Sequence, residues 1–233
     1  MKKPEKGNWI TFKIMAGSVT SHLGERRVRP NQGKIYLGVK RAVDVAGSVA
    51  GIVLLSPVFA AAAAAVFIED PGKVIFRQKR NGQGNRVFEI YKFRTMCKDA
   101  PKLRGQMEKF NELTGPAFKM KDDPRVTRVG RFLRRTSIDE LPQLFNILKG
   151  EMSIVGPRPL PTYETEQLAL WQRQRLLVKP GLTCYWQISG RNDVSFDEWM
   201  EMDCRYIEEA GVWTDLKIIL RTISAVLKGK GAY

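Results

Sequence analysis

Residues 44–69 read DVAGSVAGIVLLSPVFAAAAAAVFIE, and the 24 positions from Val45 to Ile68 carry no charged side chain. At about 1.5 Å per residue this run makes roughly 36 Å of helix, against a hydrocarbon core of about 30 Å. A buried helix of a water-soluble domain is the alternative, but few are this long and apolar, so the run predicts membrane insertion. Pro57, with Ser56 before it, interrupts the middle and leaves arms of twelve and eleven residues. Each arm is about 16–18 Å long, too short to cross alone. Proline lacks a backbone donor and clashes with the carbonyl four residues earlier, and the Ser56 hydroxyl can bond the group so freed. The pattern predicts a bent, re-entrant helix that enters and leaves on one face, with a spanning helix kinked at Pro57 as the alternative.

The flanks do not decide between these topologies. Arg26, Arg27, Arg29, Lys34, Lys40 and Arg41 precede the run, and Lys73, Arg77, Lys79, Arg80 and Arg86 follow it. Six against five leaves the positive-inside rule nothing to choose. Residues 1–41 hold ten Lys/Arg and two Glu without an apolar stretch and cleavage site, so they read as a basic lead-in and not a signal peptide. On the re-entrant reading the chain divides into this lead-in (1–41), a membrane helix (42–68) and a remainder (69–233) on the side where both flanks lie.

Composition narrows the chemistry. In 233 residues there are 39 Lys+Arg, 24 Asp+Glu, one histidine (His22) and three cysteines, a net charge of +15. The sole histidine lies in the basic lead-in, which argues against a Ser-His-Asp hydrolase, an HExxH protease and a multi-histidine metal site. Cys97, Cys184 and Cys204 form no CxxC pair, so neither a zinc site nor a disulfide framework is indicated and a reduced, cytoplasmic setting fits. The charge surplus calls for an anionic partner: nucleic acid, an anionic bilayer or a phosphorylated metabolite.

Beyond the break Glu69-Asp70-Pro71-Gly72, residues 74–78 and 86–93 alternate apolar and polar around Asn81-Gly82-Gln83-Gly84, which predicts a β-hairpin. Lys92 and Arg94, at alternate positions, should share a face, which suits either a phosphate or solvent. From Asp122 the pattern is helical, and 126–135 is strongly basic. Ser137-Ile138-Asp139-Glu140 has capping-box spacing ahead of the periodic residues Leu141, Leu144, Phe145, Ile147 and Leu148, with Gly150 as the stop. Asp139 and Glu140 then sit at a helix N-terminus, where an acidic pair ordinarily does no more than cap and favour the dipole. Their surroundings point further. Arg131, Arg134 and Arg135 lie upstream, and Pro157-Arg158-Pro159 follows in a stiff loop. Carboxylates among arginines stay ionised, as a nucleophile or a Mg²⁺ ligand requires, and the arginines can grip phosphate oxygens. A helix is predicted around 162–177, a second capping box at Ser195 to Glu198 opens a helix to about Ala210, and an amphipathic helix runs from Trp213 to Leu227, either packed in the core or lying in the bilayer interface.

These residues resemble the bacterial monotopic phosphoglycosyl transferases, also called sugar transferases or polyprenyl glycosylphosphotransferases. The resemblance runs from about Lys40 to Tyr233. It rests on the apolar run with Ser56-Pro57, Lys92-Phe93-Arg94-Thr95-Met96, Ser137-Ile138-Asp139-Glu140-Leu141-Pro142-Gln143, Gly156-Pro157-Arg158-Pro159 and Lys179-Pro180-Gly181-Leu182-Thr183. Gly190-Arg191 and Gly231-Ala232-Tyr233 look like the branch handling UDP-hexoses for exopolysaccharide or O-antigen assembly. Cys184 stands where the family commonly has glycine, and the four-helix membrane domain of longer members is missing, so this looks like a short form.

The resemblance implies an enzyme on the cytoplasmic face of the bacterial inner membrane. It would move a hexose-1-phosphate, galactose or glucose, from a UDP-hexose to undecaprenyl phosphate and release UMP through a covalent phosphosugar intermediate. It places Asp139 as nucleophile and Glu140 as Mg²⁺ ligand, with Asp139 beside it at the metal. Lys92, Arg94, Arg134, Arg158, Gln187 and Arg191 become the substrate-binding candidates, and anionic inner-membrane lipids a further partner. The expected fold is α+β and predominantly helical, monotopic, with a small hairpin and amphipathic interfacial helices. A nucleic-acid partner is not expected, because no recognition helix or RNA-binding strand motif is present. A membrane-tethered scaffold without catalysis is the competing class, and a homodimer stays open.

Overall fold

The computed structural model describes residues 27–100, 102–103, 120, 123–189 and 194–227. His22, Asp122, Arg191 and the Gly231-Ala232-Tyr233 end lie outside them. In chain order come helices α1 (Lys34–Leu54) and α2 (Ser56–Glu69) and strands β1 (Ile75–Asn81) and β2 (Val87–Phe93). Then follow α3 (Arg128–Arg135), α4 (Gln143–Lys149), β3 (Ser153–Val155), α5 (Thr162–Thr165) and β4 (Gly181–Thr183). The described chain closes with α6 (Tyr185–Ile188), α7 (Phe196–Glu209) and α8 (Val212–Leu227). This is a mainly helical α+β arrangement. Strands β1 and β2 form an antiparallel hairpin, in register from Ile75↔Phe93 to Asn81↔Val87, and β3 pairs in parallel with β4.

Helices α1 and α2 meet at a 62° bend. No single helix among the described residues is long and apolar enough to cross a membrane, while the bent pair together has the length and composition. Pro57 has no N–H for the carbonyl of Val53, and Ser56 Oγ donates to that carbonyl at 2.9 Å.

The helix starts at Lys34, inside the stretch read as a lead-in, because its first turns dock on the folded domain. Lys40 Nζ donates to the Val155 carbonyl at 2.8 Å and pairs with Asp215 of α8 at 2.7 Å. Arg41 donates to the carbonyls of Ile147 and Leu148 at 2.7 Å each, capping the C-terminal end of α4. Asp44 accepts from Ser153 Oγ at 2.9 Å and from the Ile154 N–H at 2.8 Å. Lys40 and Arg41, counted in the sequence as charges flanking a membrane run, are thus engaged by the protein itself. At the other end of the pair Glu69 accepts from the N–H groups of Arg128 and Val129, and Asp70 pairs with Arg94, so α2 is tied to the start of α3 and the end of β2.

Four apolar clusters hold these elements. Ile147, Met152, Leu144, Phe88 and Ile90 pack α4 under the hairpin, and Ala62, Val66, Phe93 and Leu133 join α2, β2 and α3. Tyr206, Ile207, Ile218 and Val155 join α7, α8 and β3, and Phe196, Trp199, Met200, Leu160 and Leu168 form the fourth. Removing such a side chain from water contributes roughly 1.5–3 kcal/mol. The capping box of α7 forms as expected, Ser195 and Glu198 each bonding the other's backbone. Helix α8 packs through one face only: Asp215 and Ile218 turn inward, while Trp213, Leu216, Leu220 and Ile223 are 74, 41, 58 and 53% exposed on the other. The helix expected over 162–177 is interrupted. Only α5 and a 3₁₀ stretch, Gln172–Leu177, are present, and side chains bond the backbone between them: Arg173 donates to the carbonyls of Glu166 and Leu168, and Gln172 Oε1 accepts from the Ala169 N–H.

Candidate active site

Asp139 and Glu140 lie in a single 3₁₀ turn, Ile138–Glu140, wedged between α3 and α4. The expected capping box does not form. Ser137 takes the left-handed conformation (φ 58°) and its side chain caps nothing, while its N–H closes the end of α3 on the Arg134 carbonyl at 3.0 Å. An N-cap needs extended backbone, whereas here the chain must reverse at once, so Ser137 ends one helix instead of starting the next and Pro142 occupies the N-cap of α4. Left-handed backbone at a non-glycine residue costs about 1–2 kcal/mol, held here by the flanking helices. Gly150 (φ 80°) ends α4 as anticipated.

Three neighbouring elements aim cations at this turn. Lys92 comes from β2 and pairs with Glu140 Oε1 at 2.8 Å. Arg158 comes from the loop after β3 and bonds both Glu140 oxygens, Nη1 to Oε2 at 3.2 Å and Nη2 to Oε1. Arg134 of α3 is fixed through Nε to Thr95 Oγ1 at 2.9 Å and contributes an attractive charge at Asp139. Burial alone would raise Glu140, but Arg158 and Lys92 overcome it and hold this carboxyl well below its usual range. Asp139 goes the other way: burial and the Glu140 charge push it up, and Lys92 offsets only part of that. Burial likewise lowers Lys92, with Glu140 opposing, whereas Arg158 is raised because Glu140 outweighs the desolvation. The two carboxylates are adjacent in sequence but unlike in setting. Glu140 is neutralised twice over, while Asp139 is buried and accepts no hydrogen bond from the described residues.

A fourth cation was not anticipated. Arg80 pairs across the hairpin with buried Phe88 and so shares its inward face. Burial, reinforced by the Arg158 charge, pushes it down to about 10. The hairpin register, had the turn been used to set it, would have placed Arg80 inside. Arg80 and Arg134 also face carboxylates outside the pair, Glu164 and Asp123, so the charge concentrated on the dyad itself is that of Lys92 and Arg158, with Arg134 beside Asp139. A shallow cleft with room for little more than a water molecule lies beside Arg158, lined by Asn81, Gly82, Thr165, Arg175 and Pro180, with the acidic pair outside its wall.

The structure therefore brings Asp139, Glu140, Lys92, Arg134 and Arg158 together. Arg94 is engaged elsewhere. It lies one residue past the end of β2, and its guanidinium takes the carboxylate and carbonyl of Asp70 at the end of α2, with an Nη1 to Oδ2 distance of 3.3 Å. Gln187 is buried in α6, where its Oε1 lies 3.5 Å from Cys184 Sγ. Cys184 itself has extended backbone (φ −158°, ψ 176°), which any side chain adopts, so cysteine in place of glycine leaves the loop undistorted. Its thiol is pushed up to about 12, first by burial and then by Asp203.

Loops Gly156–Pro159 and Lys179–Thr183 touch backbone to backbone. Gly156 N donates to the Thr183 carbonyl and Gly181 N to the Pro157 carbonyl, both at 2.9 Å, and a Cβ on Gly181 would lie 2.1 Å from Gly156 N. The glycines in these two motifs permit the approach that aims Arg158.

Among the described residues no three acidic, histidine or cysteine side chains converge, so there is no all-protein metal cage. Two adjacent carboxylates suit Mg²⁺, which takes one or two protein carboxylates and completes its shell with water and phosphate oxygens.

The sequence model of the bacterial sugar transferases matches residues 35–229, and the chain belongs to that family. It is 43% identical over 229 residues to the galactosyl transferase CpsE of Streptococcus agalactiae, covering 91% of this chain and 50% of that protein. It is 39% identical over 204 residues to the undecaprenyl-phosphate galactose phosphotransferase of Salmonella typhimurium, covering 84% and 42%. To the exopolysaccharide production protein ExoY of Rhizobium meliloti it is 39% identical over 213 residues, covering 88% and 91%. The chain thus spans about half the length of the first two relatives and nearly all of the third.

Proposed function

We propose that this chain moves a hexose-1-phosphate, with galactose or glucose as the sugar, from a UDP-hexose to undecaprenyl phosphate, giving undecaprenyl-diphosphate-sugar and UMP. This would be the first membrane step of exopolysaccharide, O-antigen or capsule synthesis. The observation that carries the reading is the asymmetry of the dyad: Glu140 neutralised by Lys92 and Arg158, Asp139 buried and, among the described residues, without a donor. An Asp139 oxygen attacks the β-phosphorus, the bond from that phosphorus to the bridging oxygen breaks, and UMP leaves with the electron pair. An oxygen of undecaprenyl phosphate then attacks the same phosphorus and returns the Asp139 carboxylate. Arg158, Lys92 and Arg134 face the charge that builds on the phosphoryl oxygens. Asp139 and Glu140 are the residues that would hold Mg²⁺, which when bound supplies charge screening between diphosphate and carboxylate. Gln187 and Arg191 remain candidates for the nucleotide sugar.

We also propose that the bent pair is re-entrant and sits in the cytoplasmic face of the bacterial inner membrane. Two features support this. Both ends of the pair are tied to one folded body, α1 through Lys40, Arg41 and Asp44 and α2 through Glu69 and Asp70. Val53, Leu54, Phe67 and Ile68 lie exposed on the pair, and the Trp213 stripe of α8 adds a second apolar surface that water disfavours. Arg29 and Lys34 are exposed at its base and suit anionic lipids, at about 1 kcal/mol each.

The test uses the protein in nanodiscs with UDP-galactose or UDP-glucose, undecaprenyl phosphate and Mg²⁺. Asp139→Asn should abolish both UMP release and the radiolabelled phosphosugar adduct formed without lipid acceptor. An adduct that survives this change sinks the nucleophile assignment, and wild-type protein that releases no UMP from any UDP-hexose favours a non-catalytic scaffold.

A further inference from the structure

The loop that carries Arg158 is held by its carbonyls. Pro157 and Pro159 have no N–H, and four successive carbonyls are each taken by a donor from elsewhere in the chain. Gly181 N reaches Pro157 O at 2.9 Å, Arg175 Nη2 reaches Arg158 O at 2.5 Å, Arg80 Nη1 reaches Pro159 O at 2.8 Å, and Asn81 N reaches Leu160 O at 3.3 Å. The donor under Arg158 is the most elaborately built. Arg175 pairs with Asp203 of α7 at 2.7 Å, the two side chains are 3 and 1% exposed, and the guanidinium lies 5.3 Å from the Trp199 ring centroid. Trp199 in turn stacks on Trp186 at 4.6 Å. Neither Arg175 nor Asp203 touches the acidic pair. A fully buried ion pair is costly to form, and a hydrophobic pair of similar volume would often serve stability as well or better. Here it presents a fixed guanidinium edge to one carbonyl.

We infer that Arg175, anchored by Asp203 and Trp199, is a positioning residue that sets the Arg158 backbone so that its guanidinium meets Glu140 and the transferring phosphoryl group. The inference rests on the transferase reading above. Arg80 does the same at the next carbonyl, through Nη1, while its Nη2 bonds Gln78 Oε1 at 2.6 Å. Both contacts of Arg175 are made by Nη2, and arginine suits the task because its rigid planar guanidinium fixes the direction of that nitrogen, whereas a lysine ammonium is a point donor on a flexible stem.

The test is a cycle on the full chain in nanodiscs, following UMP release and thermal unfolding. Arg175→Lys keeps a cation for Asp203 and loses the planar guanidinium that fixes the direction of the bond to the Arg158 carbonyl. It should lower kcat about 10–100-fold, as misplacement by about 1 Å does, with KM for the UDP-sugar changed less than about threefold. In an Arg158→Ala background the same change should cost less than about twofold, because Arg175 acts through Arg158. Equal losses in both backgrounds, or an unchanged kcat in the first, overturn the inference. If Arg175→Lys does not fold, Asp203→Asn, which retains the guanidinium and loosens its anchor, is read in the same cycle with the same two outcomes. Loss of the Asp139→Asn effect would instead sink the transferase reading, and an Arg158→Ala variant with full activity would sink the role given to Arg158.

Discussion

The contact between Lys40 and Asp215 joins the bent helix pair to the last helix, and its strength can be worked from the geometry. Lys40 Nζ makes three bonds, to Asp215 Oδ2 (2.7 Å), the Val155 carbonyl (2.8 Å) and the Tyr206 hydroxyl (3.1 Å), and the two charged side chains are 14 and 12% exposed. Lys40→Met keeps most of the stem and removes the charge. Breaking a buried pair costs about 3–5 kcal/mol, chiefly through the carboxylate left behind. Asp215 keeps donors from Tyr206 at 2.8 Å and Tyr36 at 3.1 Å, which places the loss near the lower end, about 3 kcal/mol. At about 2–4 °C per kcal/mol for a chain of this size, the unfolding midpoint should fall by about 6–12 °C. Asp215→Asn should cost about 2 kcal/mol. The double variant should fall short of the summed losses by about 2 kcal/mol, since the second change then removes an ion already without its partner. Intrinsic fluorescence during heating in nanodiscs, at one scan rate for all four proteins, reads the midpoints. Additive single effects, or a Lys40→Met midpoint within 2 °C of wild type, would refute the argument.

Two further outcomes follow from other parts of the molecule. For the topology, single cysteines placed at Arg29 and Lys79 of a cysteine-free variant should both resist an impermeant thiol reagent added outside intact cells and both react after lysis, whereas a spanning helix exposes only one of them from outside. For pH, burial raises Asp203 to about 6, with Arg175 opposing, against an ordinary value of 3.8. The folded protein then holds this proton more tightly than the unfolded chain. The residue's unfavourable contribution is complete above pH 6 and is relieved as pH falls from 6 towards 4, by up to about 3 kcal/mol. The midpoint of wild type relative to Asp203→Asn should accordingly rise over that interval, and a difference that stays flat from pH 7 to 4 would contradict the assignment.

The features that were legible in the sequence are those that local chemistry decides. Pro57 and Ser56 mark the bend because a missing N–H and a nearby hydroxyl act within four residues. The hairpin follows from alternation and a glycine turn, and the α7 start from Ser195 and Glu198. The acidic pair with Arg134 and Arg158 could be picked out because so many cations near two carboxylates are unusual. What escaped depends on contacts distant in sequence. Ser137 has good capping spacing, yet the turn between α3 and α4 needs a left-handed residue there. Arg94 shares the alternation of Lys92, but the strand ends between them and Asp70 is within reach. Lys40, Arg41, Arg80 and Arg175 look like solvated surface charges until the carbonyls they bind, 79 to 115 residues away for the first three, are placed beside them. Arg175 is nearer, 17 residues from its carbonyl, and the spacing gives no sign of it.

The backbone contact between Gly156 and Gly181 bears on engineering. Segments 156–159 and 179–183 have no side-chain layer between them to absorb a mismatch, so they form one transplantable unit in two pieces. A chimera that takes the Arg158 loop from a relative while keeping its own second segment risks setting a Cβ or a shifted carbonyl against the other main chain, at distances of 2.1 to 3.2 Å where nothing flexible can give. Exchanges in this region should therefore carry both segments together, or leave both in place.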